Sequence, residues 1–174
     1  AALSFLAPAL LDYTANGREN SRSGNACPQA APHNAFPCRG YDRWCAIGVH
    51  SGAEWQAFRQ VLGQPQWTRD ACFATLAGRK ENEAELDSLV AEWTLTHTAE
   101  EVMTMMQAAG VPAGVVESCQ DLLEKDPQIA HRRFFEVLEH PEMGPVIHYG
   151  WPTKLSKTPY QLRTAPCLGE HSYF

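Results

Sequence analysis

Residues 35–50 read AFPCRGYDRWCAIGVH, two strand-like runs about a turn on which the rest of the fold is built. Two short runs, Ala35 to Arg39 and Trp44 to His50, flank Gly40-Tyr41-Asp42, whose glycine and aspartate suit a tight reversal. The expectation is a β-hairpin. A third run, Val111 to Val116, is continuous and apolar after its proline and reads as one more strand.

Between the hairpin and that strand the period of apolar residues changes from two to nearly four, so this region is helical. Ser51 is followed three residues later by Glu54, a reciprocal capping pattern, and Trp55, Phe58, Val61 and Leu62 share a face up to Gly63. Pro65 to Trp67 opens a segment that leads to Cys72, Phe73 and Leu76. Asn82 starts a helix carrying Leu86, Leu89, Val90 and Trp93, with Glu81, Glu83 and Glu85 near its positive end. Thr98 and Glu101 repeat the capping pattern ahead of Val102, Met105 and Met106, and Gly110 stops that helix.

Upstream, Leu3, Leu6, Leu10 and Tyr13 have helical spacing over Ala2 to Asn16, and Asn16-Gly17 supplies the stop. From Gly17 to Pro37 no period is visible, and a connection this long marks a functional loop or a crossing between domains. Downstream, Ser118 caps a short helix through Leu122 and Leu123, and Pro127 suits the first turn of a helix over Ile129 to Arg133. Phe134 to Glu139 and Pro145 to Gly150 alternate on either side of HPEMG (His140 to Gly144), the pattern of a second hairpin. The Pro-punctuated tail from Trp151 reads as extended.

These elements predict an α+β fold: a small three-stranded, mainly antiparallel sheet covered by helices, followed by a hairpin and an extended tail. A chain of 174 residues buries roughly 70% of its unfolded surface. With 44% hydrophobic and 20% charged residues the composition is that of a globular protein, not a disordered one. The formal charge of −6 comes without a Lys/Arg cluster, which argues against nucleic-acid or anionic-membrane partners. Six cysteines without framework spacing suit buried thiols in a reduced, cytoplasmic setting. The opening AALSFLAPALL has no initiator Met and no basic flank and is too short to span a bilayer. Both ends read as cuts through a larger protein.

Thiolate and imidazole are zinc ligands, and Cys27, His33, Cys38 and Cys45 fall in one stretch. No Cys-x-x-Cys knuckle accompanies them, so buried free thiols and no metal site are expected. Among the seven histidines, His97, His131 and His140 fall at a helix end, on a polar helix face and in a turn. No Gly-x-Ser-x-Gly elbow or cysteine-protease signature turns them toward nucleophilic catalysis. Asp126 and Glu142, beside prolines, are explained by capping and turn formation.

Several phrases remain that core formation does not require. They are LDYTANGR (Leu11 to Arg18), GNACPQAAPHNAFPCRG (Gly24 to Gly40), GVPAG (Gly110 to Gly114), DPQ (Asp126 to Gln128), HPEMG, P-x-K-L-S-x-T-P (Pro152 to Pro159) and APCLGEH (Ala165 to His171). In this order and over nearly the whole chain they resemble the carboxyl-terminal half of class III CoA-transferases, the CaiB/BaiF family. The resemblance implies three segments: residues 1–30 as a helix end and interdomain crossing, 31–120 as a small α+β domain, and 121–174 as a return segment and tail of the large domain.

It also implies chemistry. In this family an aspartate attacks an acyl-CoA to give an aspartyl anhydride and CoA thiolate, with coenzyme A as substrate and no metal or redox cofactor. No Asp of this chain sits in a matching motif, so the nucleophile is expected upstream and no catalytic residue is assigned. The loop Gly24 to His33 corresponds to a glycine-rich lid over the acyl site, with Ala and Pro here where relatives carry glycines. Gln29, His33 and Asn34 are the candidate substrate-binding residues. The same loop also reads as a fixed interdomain crossing. The implied partners are acyl-CoA, a carboxylic acid, the missing amino-terminal large domain and a second chain in an interlaced homodimer. Two other readings stand beside transfer: an α-methylacyl-CoA racemase-type fragment, and a non-catalytic binding or dimerisation module.

Overall fold

The computed structural model describes residues 2–172. The chain divides after Val116 into two compact units. The first contains α1 (Ala2–Phe5), α2 (Ala7–Asn16), β1 (His33–Pro37), β2 (Trp44–Gly48), α3 (Gly52–Val61), α4 (Leu76–Glu81), α5 (Glu83–Thr94), α6 (Ala99–Ala108) and β3 (Ala113–Val116). Two 3-10 turns, Gln66–Arg69 and Ala71–Phe73, lie between α3 and α4.

The three strands form one antiparallel sheet in the order β1-β2-β3. The α+β class expected from the sequence is the one observed. The first hairpin starts two residues earlier than its sequence pattern indicates, because the polar pair His33-Asn34 joins the ladder opposite Gly48 and Ile47. It also ends earlier, at Pro37, since Cys38 N–H bonds to the Arg43 carbonyl at 2.8 Å and closes the turn. Gly40 and Asp42 occupy that turn with φ of 122° and 51°, conformations that glycine and aspartate tolerate best.

One face of the sheet is the core. Phe36, Cys45 and Ile47 point inward and join Trp55 and Phe58 of α3, Leu86 and Val90 of α5, and Val102 and Met106 of α6. Each large side chain removed from water in this way contributes about 1.5–3 kcal/mol. Trp55 and Phe58 stack with centroids 5.6 Å apart. The helices start where the capping pattern places them: Ser51 with Glu54 and Thr98 with Glu101 both form reciprocal boxes. The expected helix over Ala2 to Asn16 is interrupted at Leu6, because Pro8 lacks an N–H and takes a first-turn position in α2. Leu6, Leu10, Leu11 and Tyr13 are all exposed.

The second unit contains α7 (Cys119–Glu124), α8 (Pro127–Arg132), and the hairpin of β4 (Phe135–His140) with β5 (Gly144–Tyr149). Ser118 and Asp121 cap α7 reciprocally, and the Asp126 carboxylate accepts from the Gln128 and Ile129 N–H groups to cap α8. Residues from Trp151 onward carry no regular element among those described. Their return is tied by the Tyr160 hydroxyl, which donates to Glu136, and by Lys154, which donates to the Arg132 carbonyl. Val137, Ile147, Tyr149 and Trp151 remain exposed.

Candidate functional site

Strand alternation that sends Phe36, Cys45 and Ile47 into the core sends the intervening residues to the opposite face. That face carries His33, Ala35 and Pro37 from β1, Trp44, Ala46 and Gly48 from β2, and Gly114 and Val116 from β3. At its His33 end the side chains are small, and a cavity of about 440 Å³ lies over Ala35, Ala46, Gly48 and Gly114. His33 and His50 stand beside it with rings edge to face, centroids 5.6 Å apart. At the other end Trp44 and Val116 are exposed at 38% and 45%, so this face is uncovered within the unit.

A second cavity of about 420 Å³ shares Asn25, His33 and Asn34 with the first, and the charged residues that border it are Lys80, Glu81, Glu83 and Asp87. A chain of hydrogen bonds runs along the ridge between them. Asp87 Oδ2 accepts from Asn34 Nδ2 at 2.8 Å, Asn34 Oδ1 accepts from Asn25 Nδ2 at 2.9 Å, and the Asn25 carbonyl lies 2.6 Å from His33 Nδ1. Burial pushes the Asp87 carboxyl above its ordinary value, against the hydrogen bond from Asn34. Its Oδ1 is buried and has no hydrogen-bond partner among the described residues.

The loop that leads into this ridge is fastened at its end. Ala30 and Ala31 are fully buried, Ala31 N–H bonds to the Val49 carbonyl, and Val49 N–H returns a bond to Pro32. Arg79, itself buried, donates from Nε to the Ala31 carbonyl at 2.7 Å and from Nη1 to Phe73 at 3.2 Å. Its guanidinium lies 4.5 Å over the Trp55 ring. Burial lowers the Arg79 pKa from its ordinary value.

Of the three candidate residues, His33 and Asn34 line both cavities. Gln29 lies outside both, exposed on the turn between Cys27 and Ala30, where its Oε1 faces the Cys27 thiol at 3.5 Å. Asn25, Gly48, His50 and Asp87 belong to the site without having been singled out by sequence. The spacing of His33 and His50 becomes a signal once the hairpin register sets His33 opposite Gly48. Asp87 offers none, being one acid among several on α5.

The Cys27, His33, Cys38 and Cys45 set is not brought together, since Cys38 and Cys45 are buried in the core while His33 lies on the other face. His140 Nδ1 accepts from the Glu142 and Met143 N–H groups and so closes the second hairpin. His97 packs on Trp93 at 4.3 Å. Among the described residues no helix is long and apolar enough to cross a membrane.

Comparison with known proteins adds to this geometry. The family model described as CoA-transferase family III matches residues 1–172. The chain is 33% identical over 171 residues to succinyl-CoA--D-citramalate CoA-transferase of Chloroflexus aurantiacus, covering 98% of this chain and 42% of that one. It is 30% identical over 159 residues to formyl-CoA:oxalate CoA-transferase of Afipia carboxidovorans, covering 90% and 37%. The crystal structure of a CaiB/BaiF family protein from Brucella suis superposes with a TM-score of 0.81 at 27% identity, over 97% of this chain and 43% of that one. The chain thus spans about two fifths of the length of these relatives.

Proposed function

The chain belongs to CoA-transferase family III, and on that basis we propose that it forms the small domain over the acyl site of an enzyme that moves coenzyme A between an acyl-CoA and a carboxylic acid. The observation that carries this reading is the uncovered trough of small residues on the sheet, bordered at one end by His33 and Asn34. A floor of Ala35, Ala46, Gly48 and Gly114 leaves room for an acyl chain, and its open side needs a second protein surface to enclose a ligand.

The reaction explains why such a cover is useful. An aspartate carboxylate outside this chain attacks the thioester carbonyl, the C–S bond breaks, and CoA leaves as thiolate, giving a mixed anhydride. The thiolate attacks the aspartyl carbonyl of that anhydride, releasing the first acid. The acceptor carboxylate displaces CoA from the aspartyl thioester, and the thiolate then attacks the carbonyl of the acceptor. Each intermediate survives only while water is kept away. In this reading the loop ending at His33 forms part of that barrier, with Gln29 on its exposed turn facing the rest of the enzyme.

The exposed apolar residues Leu6, Leu10, Leu11, Val137, Ile147 and Trp151 suit burial against the remainder of the enzyme and a second, interlaced chain. A cytoplasmic location accords with the free thiols. The test uses succinyl-CoA as donor and radiolabelled oxalate or citramalate as acceptor, acids taken from the relatives' names. Exchange is expected from the chain joined to the remainder of its enzyme and not from the chain alone. Exchange by the isolated chain, abolished by a substitution within it, overturns the proposal.

A further inference from the structure

We infer that His33 determines substrate selectivity in the trough, its Nε2 accepting a hydrogen bond from a donor on the bound substrate. The inference rests on the acyl-site reading above. Two sources supply such a donor: the hydroxyl of a hydroxy acid, or an amide N–H of the pantetheine arm of CoA.

His33 Nδ1 lies 2.6 Å from the Asn25 carbonyl oxygen. A carbonyl only accepts, so Nδ1 carries the hydrogen, and a neutral imidazole then has its lone pair at Nε2. The Asn25 carbonyl is held in place through its own side chain. Asn34 Oδ1 accepts both from Asn25 Nδ2 and from the Ala35 N–H at 2.9 Å, which sets the orientation of the Asn34 amide and turns its Nδ2 to Asp87. Asp87 is therefore a positioning residue, two hydrogen bonds removed from the loop that holds His33.

Ring placement follows from Gly48. A Cβ there would lie 3.2 Å from His33 Cδ2 and 3.0 Å from His50 Nε2, so both imidazoles lean over a glycine on the open face. The rest of that floor is Ala35, Ala46 and Gly114, which offer a ligand no polar side chain. The titratable groups near the ridge, among the described residues, are His50 on the trough side and Lys80, Glu81, Glu83 and Asp87 on the side of α4 and α5. An accepting nitrogen in an apolar trough discriminates in favour of a substrate that donates to it.

Two measurements test this. Nitrogen-15 NMR of the imidazoles in the chain is expected to show His33 protonated at Nδ1 only, a population that falls in Asp87→Ala and is kept in Asp87→Asn, which retains an acceptor. In the complete enzyme, CoA exchange into malate against succinate, and lactate against propionate, is expected to favour the hydroxy acid by about three- to tenfold in kcat/KM, the range of one neutral hydrogen bond. His33→Leu erases that preference and His33→Gln keeps part of it, with unfolding midpoints confirming that both variants fold. An equal loss for both acids, with a raised KM for acyl-CoA, places the donor on the pantetheine arm. Protonation at Nε2, or unchanged kinetics in His33→Leu, overturns the inference alone. An enzyme that exchanges CoA with no acid overturns the function proposed above and this inference with it.

Discussion

Arg79 and Ala31, separated by 48 residues in sequence, are joined by a 2.7 Å hydrogen bond from the guanidinium Nε to the carbonyl oxygen. This bond holds the end of the Gly24–Ala31 loop against α4 and so places the start of β1. Arg79→Met keeps the stem but leaves the Ala31 and Phe73 carbonyls without their donor. We expect a loss of about 2–4 kcal/mol, measured by urea unfolding, together with faster amide exchange across the loop. An unchanged midpoint would show that the loop is held by the Val49 pairing alone.

Gly78 lies where α4 passes the 3-10 turn before it. A Cβ at this position would meet the Cys72 carbonyl oxygen at 2.2 Å, a backbone atom that no rotamer change moves away. Gly78→Ala is expected to cost about 3 kcal/mol or more, despite the better helix propensity of alanine. A melting temperature at or above that of the parent chain would refute the contact.

The trough separates two further glycines. Gly114 has none of the described residues within 4 Å of an added Cβ, whereas Gly48 has two imidazoles within 3.2 Å. Gly114→Ala is expected to be neutral or stabilising by up to about 1 kcal/mol, while narrowing the space above the sheet. Gly48→Ala is expected to shift the His33 and His50 proton resonances. Chemical-shift mapping of both variants checks the contrast, and equal perturbation at His33 in the two would contradict it.

Asp87 gives a pH dependence whose sign is fixed by its environment. Burial raises its carboxyl pKa, Glu83 adds to the effect, and the Asn34 hydrogen bond and Lys80 oppose it. Because the folded value lies above the unfolded one, the folded state takes up the proton more readily. The penalty is therefore fully present above the folded pKa and fades as pH falls through it toward the ordinary aspartate range. Asp87→Asn keeps an acceptor for Asn34 and removes the charge. Its urea midpoint is expected to exceed that of the parent chain at about pH 7, with the gap closing toward about pH 4. A gap that widens on acidification contradicts this account.

Thiol reactivity reads out the core face of the sheet. Burial pushes the Cys45 thiol up to about 12, with neighbouring Cys38 adding to the shift, and Cys38 is raised as well. Cys72 and Cys119 are exposed. At about pH 8, alkylation followed by mass spectrometry is expected to label Cys72 and Cys119 at least about tenfold faster than Cys38 and Cys45. Rapid labelling of Cys45 in the folded chain would place it outside the core.

The sequence determined the parts of this protein that depend on neighbours along the chain. Ser51 with Glu54 and Thr98 with Glu101 are visible as capping pairs because a helix start uses residues three apart, and Ser118 is visible as a cap, its partner Asp121 appearing only in the structure. The apolar period located α3, α5 and α6, and the phrases from Leu11 to His171 pointed to the family. His33 and Asn34 were legible as candidate substrate-binding residues, but as members of a loop and not of a strand. Their entry into β1 depends on pairing with Gly48 and Ile47, and the contacts of Asn34 with Asp87 and of Ala31 with Arg79 join segments about 50 residues apart. Such meetings are decided by strand register and helix packing, which have no local period to read, and tertiary structure alone brought Asp87 to Asn34 and His50 to His33.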